Sequence, residues 1–308
     1  MLRCLAQLIE MQPTRRGIEV ISAVAMREDG GWSSEALAWA GWVHAYRHEA
    51  AAALGCLEQV IGYAQAAGEP WLEASARQAR GLARERSADA FADWQQAAVR
   101  FTAAGDLMHA SNVRYMLAHR AVEAGERLAE VPVWLEECES HATGHGYQHE
   151  LAHIHLVRAE YERTQGRLDG ARELLDAALT VFRQAGDFRC VTRTLLELAR
   201  HHRPGQPAAA ADLLLQGLET AMLAGGGSLC AQVLAGLTTA AAQAGDLPLA
   251  ARAFGALDAL GQPQAGPGGA PPAVPADLMG VLQAPACRPY TEEGRAGGIS
   301  LIITLYPR

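Results

Sequence analysis

A short phrase that returns at nearly constant distance limits what this chain can fold into. Gln65-Ala66-Ala67-Gly68-Glu69, Thr102-Ala103-Ala104-Gly105-Asp106, Arg183-Gln184-Ala185-Gly186-Asp187 and Met222-Leu223-Ala224-Gly225-Gly226 each close an Ala-rich amphipathic run. A degenerate copy, Thr143-Gly144-His145-Gly146, stands between the second and third. The glycines follow one another at 37, 41, 40 and 39 residues. A second series, Gly166, Gly205 and Gly245, runs in step at 39 and 40 residues. Two interleaved turns in each period of about 40 residues predict helix–turn–helix units stacked side by side, an all-α solenoid.

The pattern predicts helix pairs over 33–67, 70–104, 106–142, 147–185, 187–224 and 227–260. Within 147–185, Leu168, Ala171, Leu174, Leu175, Ala178, Leu179 and Phe182 mark one helical stripe. Gly186 then stands where a left-handed C-cap is needed, and Asp187 where an N-cap begins the next helix. Ala53, Ala90, Ala171, Ala210 and Ala250 recur near the start of second helices, each followed four residues later by Leu57, Trp94, Leu175, Leu214 or Phe254. Small residues let two helices approach, and large ones fill the space beyond them.

Three regions follow. The pattern predicts an N-terminal helical cap over residues 1–32, split at Gln12-Pro13-Thr14, and a repeat domain over 33–260. The remainder, 261–308, is a Pro/Gly-rich linker and tail, because Gly261–Pro272 cannot continue a helix. The last apolar run, Ile299-Ser300-Leu301-Ile302-Ile303-Thr304-Leu305-Tyr306, is β-branched and predicts a short strand or an irregular, extended tail.

Charge and cysteine usage narrow the setting. A net charge of −8 and the lack of a basic tract argue against direct nucleic-acid binding. The six scattered cysteines contain no CxxC pair and read as reduced thiols. Neither a signal peptide at Met1–Gln7 nor an apolar run of about 18 residues is present, which points to a cytoplasmic protein off the membrane.

The small–xxx–large–xx–small signature, as in Ala171, Leu175 and Ala178, resembles the tetratricopeptide repeat (TPR) over roughly residues 33–260. The period is longer than that family's 34 residues, and the closing proline is missing. Longer units of this kind are similar to the C-terminal arm of LuxR-type and SARP-type bacterial transcription regulators that also carry an ATPase. The phrases carrying that likeness are His155–Glu160 with Gln165–Arg172, Ala241–Leu247 with Ala250–Ala256, and Glu293–Ala296. The resemblance implies a non-enzymatic sensor or interaction arm that binds a protein or peptide, or a small-molecule effector, in its concave groove. Self-association stays open, as does a remnant of a larger regulator. Neither a GxxxxGK[ST] phosphate loop nor a helix-turn-helix with a basic recognition helix stands out. In tetratricopeptide arrays the first helix of each pair lines the groove, which nominates Trp42, Tyr46, Ser75, His153, Glu160, Arg163 and Thr192.

One motif suggests different chemistry. His149-Glu150-Leu151-Ala152-His153 reads HExxH, within a stretch that also holds His141, His145 and His155. On a helix the two histidines share a face and could bind one zinc, with Glu150 as general base of a hydrolase. His145 or Cys138 could add a ligand, or a carboxylate at Glu160, Glu162 or Glu173. Against this, the motif opens a repeat helix in register with its neighbours, and Leu156 and Ala159 stand where the metzincin continuation needs Gly and His. The six tryptophans read as core. The sequence therefore assigns no catalytic residue, metal or cofactor, and no enzyme.

Overall fold

Each Gly-Asp phrase both ends one helix and starts another. In a computed structural model of the chain, which describes residues 33–46, 49–84, 88–202, 205–225, 227–260 and 274–306, Gly186 closes a helix at φ 69°. That left-handed backbone costs glycine nothing and lets the chain reverse. Asp187 follows, and its Oδ1 accepts the Cys190 N–H at 3.0 Å. Asp106 and Asp246 cap the helices after Gly105 and Gly245 in the same way, through the N–H groups of His109 and Leu249.

The described residues fall into two units, divided between His145 and Gly146. The first contains α1 (Ser34–Tyr46), α2 (Ala50–Ala67), α3 (Pro70–Arg84), α4 (Ala88–Ala103), α5 (Leu107–Ala124) and α6 (Val131–His145). The second contains α7 (Gln148–Thr164), α8 (Leu168–Ala185), α9 (Phe188–His202), α10 (Pro207–Leu223), α11 (Gly227–Gln243), α12 (Leu247–Ala259), α13 (Ala276–Leu282) and α14 (Arg288–Leu305). Among the described residues there is no strand, and no helix is long and apolar enough to cross a membrane.

From α1 to α6 and from α7 to α12, consecutive helices pack against one another. First helices also meet the first helix of the next pair: α1 with α3 in one unit, α7 with α9 and α9 with α11 in the other. The small–large ladder is the interlock. Ala53, Ala90, Ala171, Ala210 and Ala250 are fully buried, and Leu57, Trp94, Leu175, Leu214 and Phe254 are buried one turn later. Val131 and Leu135 supply the same step in α6, one period after Ala90. The alanine pattern hid this step, because here the small member is valine. Gly125, also left-handed, supplies the turn before α6 that the second glycine series lacked. In α8 the predicted stripe is buried except Leu168 at the helix start, which is exposed, and Leu174, which is half-buried.

The C-terminal segment corrects the expectation of a strand or an irregular tail. Ile299–Leu305 is the second part of α14, which bends at Gly298 and packs along α12. A Cβ on Gly255 would stand 2.1 Å from the Thr291 carbonyl oxygen, and one on Gly294 would stand 2.1 Å from that of Arg252. Two glycines thus let the α12 and α14 backbones touch, and Leu282, Cys287 and Ile302 complete the core of α10–α12. Burial of one such side chain is worth about 1.5–3 kcal/mol, enough to override a local β preference of about 1 kcal/mol. The predicted cap at 1–32 and the Pro/Gly linker at 261–272 lie outside the described residues.

Candidate functional site

The second residue of α7 is His149, and His153 lies one turn on, so both rings leave the helix on one side. Under them lies Phe182 of α8, fully buried, with its ring centroid 5.4 Å from that of His149 and 4.9 Å from that of His153. The third wall is the N-terminus of α9. Its cap residue Asp187 turns Oδ1 to the Cys190 amide and Oδ2 to His149 Nε2, which lies 3.2 Å away. One ligand atom from each of His149, His153 and Asp187 lies within 4.8 Å of the other two. Cys190 closes the floor, with Sγ 3.8 Å from His153 Nε2.

The protonation states follow from burial and neighbours. His153 is held neutral at physiological pH, its pKa pushed down to about 4, first by burial and then by the charges of His149 and Arg193. Burial pushes the Cys190 thiol up to about 12, and the Asp187 carboxylate beside it adds to that effect. Burial alone would raise Asp187, but hydrogen bonds from Cys190 and attraction to the histidines outweigh it and hold the carboxyl below its ordinary value. At neutral pH the corner holds a carboxylate, a neutral His153 imidazole and an un-ionised thiol.

Further along α7 the same face becomes a row of charges shared with α9. Glu160 lies 3.9 Å from Arg193, and Arg163 lies 3.5 Å from Glu197. Arg200 also meets Glu197, which is almost fully buried. All the basic partners here are arginines, since the chain contains no lysine.

Of the nominated groove residues, His153, Glu160 and Arg163 lie along α7 on its side toward α9. Three others are not groove-lining and are corrected. Trp42 is buried and donates its indole N–H to Ser75 Oγ at 3.1 Å, so both belong to the core of α1 and α3. Thr192 is fully buried and shares a hydrogen bond with Thr220 of α10 at 2.8 Å. Tyr46 ends α1, and its side chain lies outside the described residues.

The supplementary ligands proposed for the HExxH motif have other partners. Cys138 is fully buried in unit 1 and donates to the Ser111 carbonyl at 3.2 Å. His145, also in unit 1, bonds the His141 carbonyl at 2.8 Å through Nδ1. Glu162 is occupied by Arg167, and Glu173 is exposed on α8. Glu150 is exposed too. The carboxylate that does converge is Asp187, which sequence reasoning placed only as a cap. Its spacing held a signal, for it lies 38 residues after His149, one repeat period on.

Unit 1 has its own polar cluster. Arg77, Arg80 and Arg84 of α3 converge on the buried Asp93 of α4, and Arg77 and Arg100 hold the buried Glu73. The two buried carboxylates are thus paired with four arginines, which tie α3 to α4.

No family model and no curated protein matches the chain.

Proposed function

We propose that the chain is a non-enzymatic, TPR-like helical-repeat scaffold that binds a protein or peptide, acting in the cytoplasm as the sensor or interaction arm of a bacterial transcription regulator. The observation that supports this most is the charged row shared by the first helices α7 and α9, where Glu160, Arg163, Arg193, Glu197 and Arg200 line one face. Arg163, Arg193 and Arg200 each keep roughly a third of the side chain in solvent while Glu197 is buried, so an incoming carboxylate would add to the arginines rather than displace Glu197, whose unpairing would leave a buried charge. Arg163 and Arg193 present planar forks suited to carboxylates, which favours an acidic segment as the ligand. A partner acts on the array only if it binds one arrangement of the helices more tightly than another.

Capture from the native cells tests the reading. A partner that carries an ATPase or DNA-binding domain is expected, with recovery falling about tenfold in the folded Arg163→Glu/Arg193→Glu double variant. Equal recovery by that variant would remove the groove from the interaction.

A zinc-dependent hydrolase built on His149, Glu150 and His153 is the second reading. The approach of Asp187 to the two histidines favours it. Peptidase activity that vanishes in Glu150→Gln while bound zinc persists would carry it; no activity in the zinc-loaded protein would remove it.

A further inference from the structure

We propose that His149, His153 and Asp187 form a binding site for one divalent transition-metal ion of the zinc class, which ties the first turn of α7 to the N-terminus of α9. Among the described residues this is the group of three His, Cys, Asp or Glu side chains whose ligand atoms so converge. Two imidazole nitrogens and one carboxylate oxygen suit zinc, and three protein ligands leave a coordination position for water or for a partner's side chain.

The distances fit. Zinc bonds of about 2.0–2.2 Å place tetrahedral ligand atoms about 3.3 Å apart. His149 Nε2 and Asp187 Oδ2 already stand at 3.2 Å, and no separation within the group exceeds 4.8 Å. Closing the widest one requires a rotation of an imidazole, and His149 is half in solvent and able to turn. The carboxylate is already oriented, because the Cys190 amide holds Oδ1 and leaves Oδ2 toward the histidines. Phe182 packs edge-on against both rings from below. Asp187 thus works as cap and ligand with different oxygens. Metal binding here requires neither a groove partner nor hydrolysis.

The test is titration of the chelator-treated full chain with zinc chloride by calorimetry, with cobalt(II) as a spectroscopic probe. One equivalent of zinc is expected, together with a visible cobalt absorption of low coordination number. Asp187→Asn keeps the cap, since asparagine is an equally good cap residue. It should lower zinc affinity about tenfold or more, because even residues that only orient a ligand are worth about 10–100-fold. His149→Ala should do the same, and Glu150→Gln should leave affinity unchanged. Circular dichroism of each metal-free variant checks the fold. Three results would overturn the proposal: no zinc bound at micromolar concentration, full affinity in both Asp187→Asn and His149→Ala, or a loss in His149→Ala alone, which would reduce the site to a histidine pair.

Discussion

At the corner before α5, Asp106 Oδ2 takes the Trp71 indole at 2.7 Å and the His109 ring at 2.8 Å, whereas before α9 Asp187 Oδ2 takes His149 at 3.2 Å with His153 beside it. The frames are otherwise alike. Phe101, Asp106 and His109 each stand 81 residues before Phe182, Asp187 and Cys190, two periods of the repeat. Trp71 and His149 are both the second residue of their helices, and Ser75 and His153 follow one turn later. Repetition has kept the cap and the phenyl floor, and has changed the two side chains that face them. An indole N–H only donates, and Ser75 is already bonded to Trp42. Two imidazoles in those places supply lone pairs. One corner is locked by hydrogen bonds, and the other is able to hold an ion.

The common floor should matter most and equally. Phe101 and Phe182 are both fully buried, and each underlies an imidazole. Phe101→Ala and Phe182→Ala should each cost about 3–5 kcal/mol through lost burial and the cavity left behind. Denaturant melts of the two variants with chelator present check this. A much smaller loss at Phe182 would show that the second corner collapses around its histidines.

Acid should separate the corners. His153 resists protonation when folded, with a pKa of about 4, but takes up its proton near pH 6.5 when unfolded. Between those values the unfolded chain binds more protons, so stability falls as pH falls and the loss is complete below about pH 4. The shift corresponds to about 3 kcal/mol at most, shaped by the groups facing the ring: His149, Asp187, Arg193 and Cys190. Asp187 has a depressed pKa, so its contribution is present above the ordinary carboxylate range and declines only as pH falls below it. Ser75, in the corresponding place of unit 1, does not titrate. Amide protection, taken relative to the intrinsic exchange rate at each pH, should therefore fall from pH 7 to 4.5 in α7 and α9 more than in α3 and α5. In His153→Gln the difference should shrink.

What the sequence disclosed about these corners depended on how local the physics was. Gly186 and Asp187 need only their own turn and cap, and both were legible as such. The burial of Ala171 and Leu175 follows from one helix's periodicity. Thr192 was misplaced by a single residue of helical phase: it is buried, while its neighbour Arg193 is half-exposed and faces Glu160. Trp42 and Ser75 failed for a related reason, since their mutual hydrogen bond joins two helices and satisfies them inside the core. The Ile299–Tyr306 run was decided by tertiary contact. Its β-branched composition yields to the Gly255–Gly294 approach of α12 and α14, which nothing within the run announces. Asp187 lay between these cases, since the repeat period brings it beside His149, but only three dimensions show which oxygen remains for the ring.

Removal of the cap should have an intermediate and unequal effect. Asp187→Ala loses the bond to the Cys190 amide, worth about 1 kcal/mol. Asp106→Ala loses its cap and also strands the part-buried Trp71 N–H, which adds about 1 kcal/mol or more. Thermal melts in chelator should rank Asp106→Ala below Asp187→Ala. The opposite order would mean that the indole finds another acceptor.

The smallest effect separates charge from geometry. Asp106→Asn and Asp187→Asn both retain an oxygen for the cap. At Asp187 little but the carboxylate charge is lost and metal-free stability should shift by less than about 1 kcal/mol, whereas at Asp106 the amide NH2 also faces the Trp71 indole N–H, which adds to the loss. The signs should agree, because both carboxyls are held below their ordinary pKa by hydrogen bonds that outweigh the opposing effect of burial. Their charged forms therefore favour the fold at neutral pH, and both amides should be destabilising, Asp106→Asn the more. If the unit 1 variant alone is destabilised, the Asp187 carboxylate does not help hold the metal-free corner together. Its charge would then be set against its own burial, a condition that a bound cation would relieve.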